Sequence, residues 1–169
     1  GIKTLPCVNE LSEEFLNYII YDKDSVIAHW LNCGADGFRL DVADELPDEF
    51  ILALRNRLKG INKNALLIGE VWEDASNKIS YNRRREYFTA GELDSVMNYP
   101  FKNAIINFVK GQDDGSGFMQ TVMTILENYP KEVANSLMNM LSTHDTVRVL
   151  TELNNKPIES KAERASYKM

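Results

Sequence analysis

Strand-like and helical segments alternate along the chain, and this alternation restricts the fold more than any other feature of the sequence. Apolar residues recur at helical spacing in 12–32, and short apolar runs follow at 36–42, 65–72, 93–99 and 135–143. Units of strand and helix with these lengths favour a parallel sheet with right-handed crossovers. Two architectures fit, an open doubly wound sheet and a section of a (β/α)8 barrel.

Helical patterns at 47–60, 100–111 and 118–129 separate the predicted strands, and the tail at 159–169 has the pattern of a further helix. Residues 73–92 are polar and aromatic without a clear period, which predicts a long loop or irregular excursion. No GxGxxG or GxxxxGK[ST] motif follows a predicted strand, so the nucleotide-binding open sheet is disfavoured.

The composition and net charge of the chain limit the classes of molecule that it is expected to bind. The 169 residues are 44% hydrophobic and carry a net charge of -6, which suits one globular domain and argues against nucleic acid or an anionic membrane as a partner. No apolar run approaches the ~18 residues of a membrane span. Cys7 and Cys33 make no disulfide framework, and no leader is visible at the start, so we expect a cytoplasmic protein. An excised sequence would hide a leader, so secretion stays open.

Charged residues interrupt three of the strand segments, where burial makes charge costly. "GFRLDVADE" (37–45) carries Arg39 and Asp41, "GEVWED" (69–74) begins with Gly69 and Glu70, and "LSTHDTVR" (141–148) contains Asp145. All three carboxylates fall at the carboxyl ends of predicted strands, the rim where α/β folds bind ligands. One such carboxylate is often a helix cap, but three in succession indicate a functional site.

Paired carboxylates across one bond are the machinery of glycoside hydrolysis. Arg39 shares a strand face with Asp41, so its cation should keep Asp41 ionised and orient it as a nucleophile. Glu70 follows an apolar strand, where desolvation favours the protonated form that a general acid needs.

Other residues near these motifs can bind a sugar. His144 and Asp145 can hold hydroxyl groups and stabilise an oxocarbenium-like transition state. Trp72 is either a sugar-stacking or a packed rim aromatic, and four further candidates for stacking are Tyr81, Tyr87, Phe88 and Tyr99, with Tyr99 favoured. The run Arg83, Arg84 and Arg85 is typical of a solvated face.

Three of these motifs resemble signature segments of the α-amylase family of glycoside hydrolases, in the family's order: "DGFRLDVADE", "GEVWED" and "STHD". The segment "ELDSVMNYPFKNAI" (92–105) is similar to the neopullulanase and cyclomaltodextrinase branch. The resemblance implies retaining hydrolysis of α-1,4-glucosidic bonds in maltodextrins, cyclodextrins or pullulan.

The same resemblance implies roles for single residues. Asp41 would be the nucleophile, Glu70 the acid/base and Asp145 the transition-state stabiliser. Arg39 and His144 would support them, while Asp44 and Glu45 would line the sugar subsites. A retaining pair predicts carboxyl groups of Asp41 and Glu70 roughly 5–5.5 Å apart.

The sequence departs from the family pattern at three positions near the motifs. Glu73 replaces a frequent histidine, Asp44 a frequent asparagine, and Thr143 precedes His144 where asparagine or serine is common. We predict no metal site, because "DKD" (22–24) and "GQDDGSG" (111–117) lack the spacing of a calcium loop. The family implies that calcium can bind to the full-length enzyme.

The resemblance covers the fourth to seventh strands of the barrel, so we expect residues 1–169 to be a partial catalytic domain truncated at both ends. Open strand edges would then promote self-association, and the isolated chain would hydrolyse little or no glucan. Two alternatives are a non-catalytic carbohydrate-binding or assembly scaffold and an unrelated α/β-barrel enzyme such as an aldolase. The retained carboxylates argue against the first, and the absence of a lysine at any predicted strand end argues against the second.

Overall fold

The structure is a computed structural model that describes residue 4 and residues 6–154. Its centre is a parallel three-stranded sheet of β1 (Gly37–Leu40), β2 (Leu66–Gly69) and β5 (Ser95–Val96), in that order. β1 and β2 pair in register from Gly37 opposite Leu66 to Leu40 opposite Gly69. The carboxyl ends of the strands therefore meet at one edge, as the alternating sequence pattern predicts.

The predicted fourth strand at 135–143 is much shorter than expected. Met138 makes one parallel bridge to Met97, and Asn135 still belongs to the helix α6 (Lys131–Asn135). Hydrogen bonds at this bridge run from Met138 N to Val96 O and from Asn98 N to Met138 O. The segment thus lies in the position of a fourth parallel strand without forming an extended ladder.

The amino-terminal helical pattern is broken rather than continuous. It forms α1 (Glu13–Leu16), a π-helical segment (Asn17–Tyr21) and α2 (Val26–Asn32). Ser12 caps α1 as a side-chain acceptor for Phe15 N–H, which confirms the expected start, and Ser25 caps α2 in the same way.

The other helices largely follow the prediction. α3 (Asp48–Ile61) packs Phe50, Ile51, Leu54 and Leu58 into the core, as its apolar stripe requires. After β5 come α4 (Tyr99–Val109) and α5 (Gly115–Asn128), then α6, and a short α7 (Val149–Asn154) ends the described chain. The predicted helical start within 159–169 lies outside the described residues.

The excursion at 73–92 contains an unpredicted hairpin of β3 (Ile79–Ser80) and β4 (Arg83–Arg84). Tyr81 and Asn82 form its two-residue loop, both with positive φ, as in a type I′ turn. Hereafter residues 73–92 are called the excursion. None of the helices in the described part of the chain is long and apolar enough to span a membrane.

Candidate active site

Arg39 links two of the predicted catalytic carboxylates. Its Nη1 pairs with Asp41 and its Nη2 lies 2.9 Å from Glu70 Oε1. Parallel pairing of β1 with β2 produces this proximity, because Leu40 and Gly69 are opposite each other and Asp41 and Glu70 are the next residues. The side chain of Asp41 is 71% exposed, so its carboxylate can meet a substrate while Arg39 orients it.

Glu70 is 3% exposed, as expected of a desolvated acid, but its surroundings are more polar than the apolar strand predicts. Its Oε1 accepts hydrogen bonds from Trp72 Nε1 and Tyr99 OH, both at 3.2 Å, in addition to the Arg39 ion pair. Its Oε2 accepts Val42 N–H at 3.0 Å. These donors hold the carboxyl group in one orientation beside Asp41.

The backbone of Val42 departs from the extended conformation of β1. Its φ of 42° lies in the left-handed region, which is uncommon for a β-branched residue. Two residues after the end of β1, the Val42 backbone N–H donates to Glu70 Oε2. A strained residue directly after Asp41 is typical of functional sites.

Trp72 and Tyr99 stack with ring centroids 4.7 Å apart. Trp72 is 48% exposed, so part of its ring is open to a ligand. Tyr99 is 1% exposed, so its ring offers no surface to a sugar, and we correct its expected stacking role to positioning Glu70. Burial raises the pKa of the Tyr99 hydroxyl, and the neighbouring Glu70 carboxylate adds to the increase, so the hydroxyl remains a donor.

Asp145 joins the site through intermediates rather than by direct contact with the other carboxylates. Thr143 Oγ1 lies 3.4 Å from Tyr99 OH and accepts Asp145 N–H at 3.3 Å. The Asp145 carboxylate lies 3.0 Å from His144 Nε2, and both side chains are accessible to solvent. The segment that carries Asp145 therefore lies next to Tyr99, which contacts Glu70. Thr143, a departure from the family pattern, contacts both Tyr99 and Asp145.

The 3₁₀ turn Ala43–Glu45 carries the two predicted sugar-subsite residues, and they differ in availability. Asp44 has both oxygens engaged, with Oδ1 accepting Tyr87 OH at 2.7 Å and Oδ2 paired with Lys78 at 2.9 Å. We therefore correct Asp44 from a sugar ligand to an anchor of the excursion. Glu45 is exposed and accepts a hydrogen bond from Tyr81 OH.

Sequence reasoning missed the part that the excursion plays. Arg85 is buried, donates to Asp44 O at 2.9 Å and Leu46 O at 2.8 Å, and pairs with Asp48 at 2.8 Å. It also lies over the ring of Tyr87, 4.9 Å from the centroid. Tyr87 is buried and therefore not a stacking platform, and Arg85 does not belong to a solvated face. A run of three arginines carries no signal that one of them is buried.

Within residues 6–154, no three side chains of His, Cys, Asp or Glu are grouped so as to hold a metal ion. Cys7 and Cys33 are free thiols, both exposed.

The sequence matches the family described as "Alpha amylase, catalytic domain" over residues 2–169. The chain belongs to this α-amylase catalytic domain family, whose barrel it covers in part. The (β/α)8 type of fold predicted from the sequence is confirmed by this match and by structural similarity to enzymes with that barrel.

Individual relatives agree with the predicted branch. An amylopullulanase from Thermoanaerobacterium thermosulfurigenes is 36% identical over 174 residues, covering 89% of this chain and 9% of that protein. Neopullulanase 2 from Thermoactinomyces vulgaris is 32% identical over 151 residues, covering 89% of this chain and 24% of that protein. The chain thus spans a quarter or less of these two relatives.

A solved structure has a similar fold over most of this chain. The cyclic α-maltosyl-(1→6)-maltose hydrolase from Arthrobacter globiformis superimposes with a TM-score of 0.74 at 26% identity. The similarity covers 86% of this chain and 30% of that one.

Proposed function

We propose that this chain supplies the catalytic carboxylates of a retaining glycoside hydrolase that acts on α-1,4-glucosidic bonds of maltodextrins, cyclodextrins or pullulan. The observation that carries the proposal is the Arg39 guanidinium, which holds Asp41 by one terminal nitrogen and Glu70 by the other. An exposed carboxylate and a buried one so close together suit an attack on one side of a sugar and proton donation on the other.

The proposed reaction has two steps. In the first, Asp41 attacks the anomeric carbon and forms an ester with the sugar, while Glu70 gives its proton to the departing glycosidic oxygen. In the second, Glu70 removes a proton from water, the resulting oxygen displaces Asp41, and the product keeps its α configuration. The predicted carboxyl separation of roughly 5–5.5 Å stays a prediction.

Supporting roles follow from the contacts. Val42 N–H and the Tyr99 hydroxyl orient Glu70, and the exposed part of Trp72 offers an apolar surface to a sugar ring. Asp145 and His144 are proposed to hold sugar hydroxyls and to stabilise positive charge at the anomeric carbon. Calcium in the full-length enzyme stays a prediction, and no step of the mechanism needs it.

Assays of the full gene product on maltodextrin, cyclodextrin and pullulan test this function. We expect Asp41→Asn and Glu70→Gln each to lower kcat by roughly 10³-fold or more, because each removes one of the two required carboxylates. Glu73→Gln is the matched control, since Glu73 is an exposed carboxylate that pairs with Lys78. The first product seen by proton NMR should be the α-anomer.

Two outcomes would contradict the proposal. Activity that survives both substitutions would remove Asp41 and Glu70 from the reaction, and a β-anomer as first product would exclude retention. A protein that binds glucan without cleaving it would instead fit the non-catalytic scaffold. The 169-residue chain alone is expected to hydrolyse little or no glucan, and strong turnover by it would contradict that expectation.

A further inference from the structure

We propose that the hydroxyl of Thr143 is a positioning group for the acid/base Glu70, on which it acts through the hydroxyl of Tyr99. The inference deepens the proposed function and rests on it, because it concerns how the departing glycosidic oxygen receives its proton. Thr143 does not contact the sugar in this proposal. It controls the direction in which the Tyr99 hydroxyl donates.

The four groups that contact the Glu70 carboxyl group differ in what they can do when its proton is lost or regained. The Arg39 guanidinium, the Trp72 indole N–H and the Val42 backbone N–H can only donate. Each of these donors therefore favours the carboxylate over the carboxylic acid. The Tyr99 hydroxyl, 3.2 Å from Glu70 Oε1, can both donate and accept. Of the four groups, it alone can turn its proton away and so relieve this bias.

A buried hydroxyl turns its proton away only if a second acceptor is within reach, and Thr143 provides one. Thr143 Oγ1 lies 3.4 Å from Tyr99 OH, and Tyr99 is buried. Tyr99 donates to Glu70 when Glu70 is a carboxylate. When Glu70 is protonated, Tyr99 donates to Thr143 instead, and its own oxygen is free to accept from the carboxylic acid. The two hydroxyls together thus accommodate both protonation states, which alternate in the two steps of the proposed reaction.

Thr143 is held by the turn that it begins. Its N–H donates to Thr146 Oγ1 at 2.8 Å, and its own Oγ1 lies 3.4 Å from the same Thr146 oxygen. Thr143 Oγ1 also accepts Asp145 N–H at 3.3 Å. A hydroxyl oxygen has two lone pairs, so one remains for the Tyr99 proton after the Asp145 N–H is bound. The turn therefore keeps an acceptor beside Tyr99.

Loss of the Thr143 hydroxyl should impair the acid step in a way that depends on the leaving group. Without this acceptor Tyr99 stays a donor to Glu70, and the carboxylic acid that the first step needs is disfavoured. A sugar alcohol requires a proton in order to depart, whereas fluoride is a weak base and departs with little help from an acid. A defect at Glu70 therefore slows cleavage of maltohexaose more than cleavage of α-maltosyl fluoride. A defect at Asp145 slows both, because the same positive charge develops on the sugar.

The test compares kcat/KM of the full gene product for maltohexaose and for α-maltosyl fluoride. Thr143→Val keeps the shape of the side chain and removes the hydroxyl. It should lower kcat/KM about fivefold for maltohexaose, the scale of one hydrogen bond, and less than about twofold for the fluoride. Thr143→Ser should restore the parent values, because the hydroxyl returns. Thr146→Val is the matched control, since it alters the same turn, keeps the Thr143 hydroxyl and should leave the ratio of the two substrates unchanged.

A double variant tests whether Thr143 acts through Tyr99. In a Tyr99→Phe background, Thr143→Val should change kcat/KM for maltohexaose less than about twofold, because the intermediate hydroxyl is already absent. Thr143→Ala also removes the hydroxyl and serves the same comparisons should Thr143→Val fail to fold.

Two results would overturn the positioning role and leave the proposed function standing. One is an equal loss for the two substrates in Thr143→Val. The other is a loss that multiplies with that of Tyr99→Phe, which would show that Thr143 acts by another route. A parent protein that cleaves neither maltohexaose nor α-maltosyl fluoride would overturn the proposed function, and this inference with it.

Discussion

At the scale of single residues, the titration of Glu92 should make the stability of the protein depend on pH near neutrality. Glu92 is buried, and within residues 6–154 its Oε2 has no hydrogen-bond partner. Burial raises the pKa of Glu92 from 4.5 to about 7, and the Asp48 carboxylate adds to the increase. The raised pKa means that folding favours the protonated form of Glu92, so the contribution of this one group to stability is greatest below pH 4.5 and is lost as pH rises through about 7.

Glu92→Gln should abolish most of this dependence, because glutamine is neutral at every pH in the range. We expect the variant to gain roughly 1–3 kcal/mol relative to the parent protein between pH 5 and pH 8. Urea unfolding at both pH values measures it. Glu86→Gln is the control, since Glu86 is an exposed neighbour. The same change in unfolding free energy between pH 5 and pH 8 in all three proteins would contradict the prediction.

At the scale of elements, Asp94 joins α3 to the sheet at the start of β5. Its carboxylate pairs with Arg55 at 2.9 Å and Lys59 at 2.8 Å and accepts Leu67 N–H at 2.9 Å. Burial opposes ionisation, but the bonds from Lys59 and Leu67 and the charge of Arg55 outweigh it and lower the pKa of Asp94. This contribution is present above the ordinary pKa of 3.8 and is lost as pH falls below it.

Asp94→Asn should therefore destabilise the protein by about 3 kcal/mol at pH 7, because two cations lose their shared partner. The free energy of unfolding from urea titration measures this loss. Asp24→Asn is the matched control, since Asp24 forms an exposed pair with Lys23 at 3.9 Å and should cost less than about 1 kcal/mol. Equal costs for the two substitutions would show that Asp94 does not join the elements.

At the scale of the whole molecule, β1 ends the described sheet and pairs with β2 on one side. All four of its residues are partly exposed, so the free side of the strand presents backbone groups next to apolar side chains. We expect the 169-residue chain to self-associate through this edge. Light scattering over a dilution series should give a mass that rises with concentration and persists at high salt, which screens charge-driven contacts. A compact monomer at high concentration would contradict this.

The central strands and the helix between the first two of them are predictable from the sequence alone. The period of apolar residues is local, so β1, β2 and α3 are predictable without coordinates. Arg39 lies in β1 and Asp41 directly follows the strand, and this two-residue spacing places their side chains together.

The partners of these residues depend on the packing of the whole fold. Val42 N–H, the Tyr99 hydroxyl and the Arg39 ion pair reach Glu70 from segments distant in the chain, and the burial of Tyr99 depends on packing. The sequence predicts Asp44 as a sugar ligand, whereas in the structure its carboxylate is bound by Lys78 and Tyr87. Side-chain type and spacing follow from covalent connectivity, whereas the partners of a buried group follow from packing, which no local pattern in the sequence records.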